Sequence, residues 1–350
     1  MKILYQIPSL HTIYAGRNIY FGYKHAFVDM GHEFQPFTME SDQKILFNKY
    51  KPDILIGGLG PLALKYLDLS LVGKHKKRGM KVFVNLPFWK SPMSALRINE
   101  TSSISSNKEY ISLIKSGKYG DIYFNICEKD DLRMEGFEKT TGYEHITIPL
   151  AADKTIHFPE YSEKFKADIS FIGTNLPDKR KSANEKIFPL KSKYDLKLYG
   201  QDWTTFDKTM GIIQKVGQYF NIPFLRSIRK PKLALEDERR IYASSKISIN
   251  IHEAYQQQFG GDCNERTFKV PACGGFEITD SVACIKKYFK EGEEIIIAKN
   301  TKDWFEKIEY YIKNPKKREK IIEAGRKRVL KDHTYHNRVN QLLNLYKKIN

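Results

Sequence analysis

The sequence predicts an α/β protein built as two consecutive doubly wound parallel sheets, and three observations carry that reading. Short apolar runs alternate with helix-period segments along both halves of the chain. The alternation breaks once, at "PLAADKTIHFPE" (149–160), which holds two prolines and no periodicity. At 350 residues, 41% of them hydrophobic, the chain is long enough for two ordinary domains and apolar enough to fill two cores.

In the first half, "KILYQIP" (2–8) reads as a buried strand running into a loop that contains Gly16. "IYFGYKHAFVDMGHEF" (19–34) spaces its apolar residues as a helix does, then breaks at Gly-His before a second strand at 33–38. "PDILIGGLGP" (52–61), "MKVFVNLPFW" (80–89), "DIYFNIC" (121–127) and "HITIPL" (145–150) continue the strand series. After the break, "ADISFIGT" (167–174), "YDLKLYGQDW" (194–203), "KISINIHE" (246–253), "GGFEITD" (274–280) and "EEIIIAK" (293–299) repeat the pattern. Helices fit between them at 180–192, 235–245, 264–272 and 301–313. The expected division is a Rossmann-like domain over 1–152, a linker over 153–165, a second Rossmann-like domain over 166–330 and a terminal helix over 331–350. Residues 204–234, rich in aromatics and cations, are long for a bare loop and read as a helical insert or functional excursion. The last segment places apolar residues at 321–322, 329–330, 339, 342–343 and 346, the spacing of amphipathic helices with basic outer faces.

A net charge of +18 favours anionic partners: nucleotide phosphates, anionic lipid, a phosphorylated acceptor or nucleic acid. No apolar run approaches the ~18–20 residues that span a bilayer, and the opening apolar run is too short for a signal peptide. Cys127, Cys263, Cys273 and Cys284 show no CxxC spacing and read as buried free thiols of a reducing, cytoplasmic compartment.

In an open α/β sheet, ligands sit beyond the carboxyl ends of the strands, where helix N-termini offer N–H groups to phosphates. Four stretches of the second half are read at such places. In "FIGTNLPDKRK" (171–181), Gly173 lets a ligand approach the backbone and Thr174 offers a hydroxyl. In "LYGQDW" (198–203), Gly200 turns the chain and Trp203 is an aromatic able to cover a base. In "INIHEA" (249–254), Asn250 and His252 emerge at a strand end. "CNERTFKVPACGGFEITD" (263–280) sets Arg266 and Lys269 three apart on one helical side, then Gly274 and Gly275 in a turn, with Asp280 closing the strand. Arginine bridges paired phosphates with fixed donors, whereas lysine adds a point charge.

These motifs, with "YASSKISINIH" (242–252), "KYFKEGEEIIIAKN" (287–300) and "HTYHNRVNQLL" (333–343), make residues 167–345 resemble the C-terminal domain of the CgeB-like, spore-maturation-type GT-B glycosyltransferases. The resemblance implies two Rossmann-like domains facing a cleft, a terminal helix returning to the first domain, and a nucleotide-diphosphate sugar as donor. It places Gly173 and Thr174 near the diphosphate, and Arg266 on it with Thr267 and Phe268 alongside. The family pattern has Arg-x-Phe-Glu here, its Glu holding the donor ribose, and this chain has Lys269 at that position. Three readings follow: Glu265 serves from the neighbouring turn, Lys269 binds phosphate itself, or donor binding is weakened.

The expected chemistry passes through an oxocarbenium-like state, with charge building on the leaving diphosphate. Arg266 is the first candidate to stabilise it and Lys269 the second. No Asp-x-Asp stands at a strand end, so no metal or other cofactor is expected. An inverting route needs a base from the first domain, and His11, in the loop after the first strand, is the candidate, while a retaining route needs none. His25, inside the following helix, reads as packed. Expected acceptors are a glycan, a lipid-linked glycan or another polyanion, nucleic acid ranking lower, with peripheral contact on an anionic membrane as an option. Two alternatives stay open: a degenerate nucleotide-sugar-binding partner or sensor without turnover, and a GT-B-fold sugar-nucleotide 2-epimerase.

Overall fold

The computed structural model describes residues 1–10, 15–90, 104–220 and 222–349. The chain divides into two compact units. One comprises the first strand, Gly16–Pro149 and His336–Asn350, and the other Leu150–Tyr335.

The first unit is a six-stranded, all-parallel sheet of β1 (Lys2–Gln6), β2 (Glu33–Phe37), β3 (Ile54–Gly58), β4 (Lys81–Asn85), β5 (Ile122–Asn125) and β6 (His145–Thr147). The strands lie in the order β2-β1-β3-β4-β5-β6. Because side chains alternate along a strand, one face gathers Leu4, Leu55, Val82, Val84 and Tyr123 into a core with helices Gln43–Tyr50, Leu69–Lys76 and Lys108–Lys115. Those three helices begin at Asp42, Asp68 and Asn107, whose side chains accept from backbone N–H groups of the first turn. On the other face, Tyr5 packs against Tyr20 and Tyr23 of helix Ala15–Asp29, at 5.7 and 5.8 Å between ring centroids.

Helix Tyr335–Ile349 completes this unit from the far end of the sequence. Arg338 Nε donates to Pro149 O at 2.8 Å, Gln341 Nε2 donates to Thr147 O at 3.0 Å, and His336 Nε2 lies 2.7 Å from Asp29 Oδ2. Val339 and Leu342 are buried. The return of the terminal helix expected from the resemblance is present.

The second unit holds β7 (Ala167–Ile172), β8 (Leu196–Tyr199), β9 (Ser245–Asn250), β10 (Glu277–Asp280) and β11 (Ile296–Ala298), all parallel, in the order β11-β10-β9-β7-β8. Ile169, Phe171, Ile247, Ile249 and Ile278 face Ile187, Leu190, Trp304 and Ile308. On the opposite face Ile172 joins Ile241 and Tyr242 of helix Leu235–Ser244, Val270 of helix Arg266–Ala272 and Cys273, which caps that helix. All four cysteines are buried and unpaired by disulfide.

The stretch expected as a linker, 153–165, is built into this unit. Its Glu160 pairs with Arg239 and Arg240, Ser162 N donates to Ser244 Oγ at 2.8 Å, and Phe165 enters the core. The two stretches where the chain passes between units are joined to each other. Ala152 N donates to His333 O at 3.0 Å, and Tyr335 N to Ala152 O at 2.9 Å. Within 204–234 the described residues include two helices, Thr205–Tyr219 and Pro223–Arg226, so the stretch is not a bare loop. Among the described residues, no helix is long and apolar enough to cross a membrane.

Candidate functional site

In the second sheet the strand order reverses between β7 and β9, so connections leave these neighbours in opposite directions and a crevice opens beyond their carboxyl ends. Arg266 stands at that switch point. Its Nη1 donates to Ile172 O at the end of β7 (3.0 Å), and its Nη2 to Ile251 O just beyond β9 (2.9 Å). Its Nε donates to Asn250 Oδ1 (2.9 Å), and the guanidinium lies 5.2 Å from the Phe171 ring centroid. Three of the five N–H donors a guanidinium carries are thus spent on tying the two strand ends together, and the side chain remains half-buried.

The loop after β7 is shaped around this arginine. A Cβ on Gly173 would come within 3.0 Å of Arg266 Nη1 and 2.8 Å of Phe171 Cζ, so only glycine lets the backbone pass. Gly200, at φ +115°, leaves no space for a Cβ against the Gly173 carbonyl. The loops after β7 and β8 are cross-linked: Gly173 N donates to Tyr199 O (3.0 Å), Asn175 N to Gln201 O (3.0 Å) and Trp203 Nε1 to Gly173 O (2.9 Å). Trp203, expected to cover a base, is docked edge-on against Phe171 and Phe188 and braces the loop. Thr174 follows on the same half-buried loop.

Asn250 is the hub beneath Arg266. Its Oδ1 also accepts from Asn264 (2.9 Å), and its Nδ2 donates to Thr267 Oγ1 (3.2 Å) and Glu277 Oε1 (2.8 Å). His252 and Asp280 form a buried pair, Nδ1 to Oδ1 at 2.6 Å. Asp280 also accepts from the backbone N of His252 (3.0 and 3.1 Å) and from Gln257 Nε2 (2.7 Å), with Lys186 Nζ at 4.0 Å. Burial pushes the Asp280 carboxyl up, but the charge and hydrogen bonds of His252, with Lys186, hold it below its ordinary value. Asp280 thereby fixes the chain as it leaves β9.

The second cation lies elsewhere. Lys269 is buried, its Nζ 2.6 Å from Glu238 Oε2 and 3.8 Å from Glu265 Oε2. Burial pulls the ammonium down, yet the two carboxylates outweigh it and hold its pKa above the ordinary lysine value. The expectation that Lys269 supplies a point charge to a diphosphate is corrected by this cage: both neighbouring anions already take its charge. Glu265 is held on its other oxygen by the Tyr335 hydroxyl at 2.9 Å.

Four further expected residues take other places. Phe268, expected beside the diphosphate, packs against Tyr288, Phe289 and His333 in the core. Gly274 (φ +72°) and Gly275 lie at the amino end of β10, against Pro159 and the Tyr242 carbonyl, on the rim opposite the crevice. Thr267 is buried under Asn250 and His252. His11 falls outside the described residues. His25 lies 5.7 Å from the Phe21 ring within its helix.

The structure adds residues that the sequence reading missed. Glu277 is buried, and burial pushes its carboxyl up to about 8, against the pull of the Asn250 hydrogen bond and Arg266. Its Oε2 has no hydrogen-bond partner. Glu238, thirty-one positions from Lys269 in sequence, sits in a segment that reads as an ordinary charged helix. Lys179, buried 3.9 Å from Glu253, and Lys186 bring two more cations near the strand ends. Among the described residues, no group of three or more His, Cys, Asp or Glu is placed to hold a metal ion.

Comparison with known proteins sets this geometry in context. Residues 180–344 match the family model described as glycosyl transferase-like. Spore protein CgeB of Bacillus subtilis is 22% identical over 242 residues, covering 65% of this chain and 71% of that protein. Among solved structures, sucrose-phosphate synthase from Thermosynechococcus elongatus aligns at a TM-score of 0.60 and 12% identity, over 99% of this chain and 98% of that one. An alpha-glucosyltransferase in complex with UDP-glucose and DNA containing an abasic site aligns at 0.61 and 11%, over 99% of both chains. A glycosyltransferase from Rickettsia africae aligns at 0.59 and 14%, over 99% of this chain and 98% of that one. These likenesses establish the fold, two parallel-sheet α/β domains of GT-B type.

Proposed function

We propose that the protein is a CgeB-like glycosyltransferase that transfers a sugar from a nucleotide-diphosphate donor held at the β7–β9 switch point, in keeping with the glycosyl transferase-like match over 180–344 and the likeness to spore protein CgeB. The observation that carries the proposal is Arg266, a half-buried guanidinium fixed by three internal hydrogen bonds where such folds bind their ligands. Its remaining N–H donors face the task of holding a diphosphate whose charge grows as the glycosidic bond breaks. A cation preorganised by the protein needs no reorganisation when that charge develops.

In this reading Gly173 and Thr174 line the diphosphate. Glu265, held between Tyr335 and Lys269, supplies the carboxylate for the ribose that the family carries at position 269. Lys269 acts as a positioning residue through its two carboxylates. Leaving-group stabilisation by side-chain cations makes the reaction metal-independent, so chelators leave turnover intact. His11 is retained as the proposed base of an inverting route. The acceptor is a glycan, lipid-linked or otherwise polyanionic, in keeping with the +18 net charge. Four buried thiols fit a reducing compartment.

The test is calorimetric binding and turnover of a nucleotide-sugar panel, begun with UDP-sugars, with Arg266→Lys alongside the unaltered chain. Lysine cannot reproduce the fork of donors, so affinity is expected to fall about tenfold or more. A protein that neither binds nor hydrolyses any nucleotide sugar overturns the proposal. Tight binding without transfer to any acceptor establishes instead a nucleotide-sugar-binding partner, the reading favoured by lysine at 269.

A further inference from the structure

Helix Thr205–Tyr219 is packed inside out. The residues it buries are Asp207, Gly211, Gln214 and Gly217, polar or without a side chain. Each has a partner in the strand of chain that follows. Asp207 pairs with Lys232, Gln214 Nε2 donates to Arg226 O at 2.9 Å, Gly211 admits the Arg229 guanidinium, and Gly217 leaves no room for a Cβ against Leu225. Met210 and Ile213 are half-buried, and the other apolar side chains are turned to the outside. Phe206, Ile212, Val216, Tyr219 and the adjoining Phe220 share one helical face, and Phe224 follows on the next turn of helix. Tyr219 and Phe206 are 78% and 72% exposed. An amphipathic helix of a globular protein ordinarily faces the other way.

The charges around this face are of one sign. Lys208 and Lys215 flank it and are exposed, and Lys230 is exposed beyond it. The only carboxylate between residues 203 and 235 is Asp207, which is buried against Lys232. The hairpin is also held to the sheet. Arg229 Nη2 donates to Asp202 Oδ1 at 2.7 Å and to Gln201 Oε1 at 3.2 Å, in the loop after β8 that braces Gly173.

We propose that the hairpin formed by helices Thr205–Tyr219 and Pro223–Arg226 is an interfacial anchor that lays its outward apolar face on an anionic phospholipid surface. Aromatic and aliphatic side chains enter the headgroup–acyl boundary while flanking lysines meet the phosphates. A second copy of the chain fits less well, because a two-fold contact through this face would set Lys208 and Lys215 against their own counterparts. A nucleic acid would draw on the lysines but has no use for Ile212 and Val216. The anchor goes beyond the chemistry proposed above and is independent of it, since lipid binding requires no donor and no turnover.

Flotation of the full chain with vesicles of phosphatidylcholine and phosphatidylglycerol, against vesicles of phosphatidylcholine alone, tests the proposal. The unaltered protein is expected to float with the anionic vesicles and to be released by salt. Phe220→Ser with Phe224→Ser should lower its partition about tenfold or more, with circular dichroism and thermal unfolding unchanged because both side chains are exposed. Lys208→Glu with Lys215→Glu should lower it on anionic vesicles alone. Phe220→Trp gives a second readout, an emission blue shift with quenching by brominated lipid. Absence of binding to anionic vesicles, unaltered binding of the serine variant, or a tryptophan unaffected by lipid overturns the proposal. So does a concentration-dependent dimer, measured by light scattering, that the serine variant abolishes.

Discussion

Removing the ammonium of Lys269 tests whether its cage is a structural unit. In Lys269→Met, Glu238 and Glu265 keep their buried positions but lose the cation that lies 2.6 and 3.8 Å from them. Breaking a buried ion pair from one side costs about 3–5 kcal/mol, because an uncompensated charge is left in low dielectric. At ~2–4 °C per kcal/mol for a domain of 150–250 residues, the thermal transition of the second unit should fall by roughly 6–20 °C at neutral pH. Because the folded lysine titrates above its ordinary value, the stability it contributes is present throughout the neutral range and is lost only as pH rises through that higher pKa. Lys269→Glu should be worse than methionine, and the double exchange Lys269→Glu with Glu238→Lys should recover most of the loss. The assay is differential scanning calorimetry of the four proteins over a pH series. A methionine variant within about 1 kcal/mol of the unaltered chain, or a double exchange no better than Lys269→Glu alone, refutes the cage.

Two other perturbations have defined signs. Glu277, titrating near 8 when folded and near ~4.3 when unfolded, costs stability as pH rises between those values, because only the unfolded chain releases the proton. Glu277→Gln should therefore be stabilising by about 3–5 kcal/mol at pH 8 and near neutral at pH 4, read by urea unfolding at both values. Gly200→Ala combines a positive φ with a collision at the Gly173 carbonyl, so a loss of at least about 2 kcal/mol and weaker nucleotide-sugar binding are expected, read by urea unfolding and calorimetry.

Most strands of both sheets were legible because they are short apolar runs between breaks, and Gly173, Asn250 and Asp280 followed as strand-end residues. Arg266 was legible as a cation but not as a clamp, since two of its partners are the carbonyls of Ile172 and Ile251, groups every residue carries. Lys269 misled because local spacing put it beside Arg266, while its partner Glu238 comes from a separate helix. Gly274 and Gly275 were rightly a turn, but a turn that precedes a parallel strand lies at its amino end, away from the crevice. The 205–219 helix shows apolar spacing that one reads as an inward face, and only its packing on glycines and Gln214 reveals that it points outward.

The terminal helix has a consequence for how the molecule is made. The first unit takes His336–Ile349 from a stretch translated only after the second unit's sheet, although its own sheet is encoded before that one. Vectorial synthesis therefore presents a six-stranded sheet with one flank unfinished while the second unit, whose five strands all lie between residues 167 and 298, closes ahead of it. Loss of residues 336–349 is accordingly a lesion in the core of the first unit, where Val339 and Leu342 are buried.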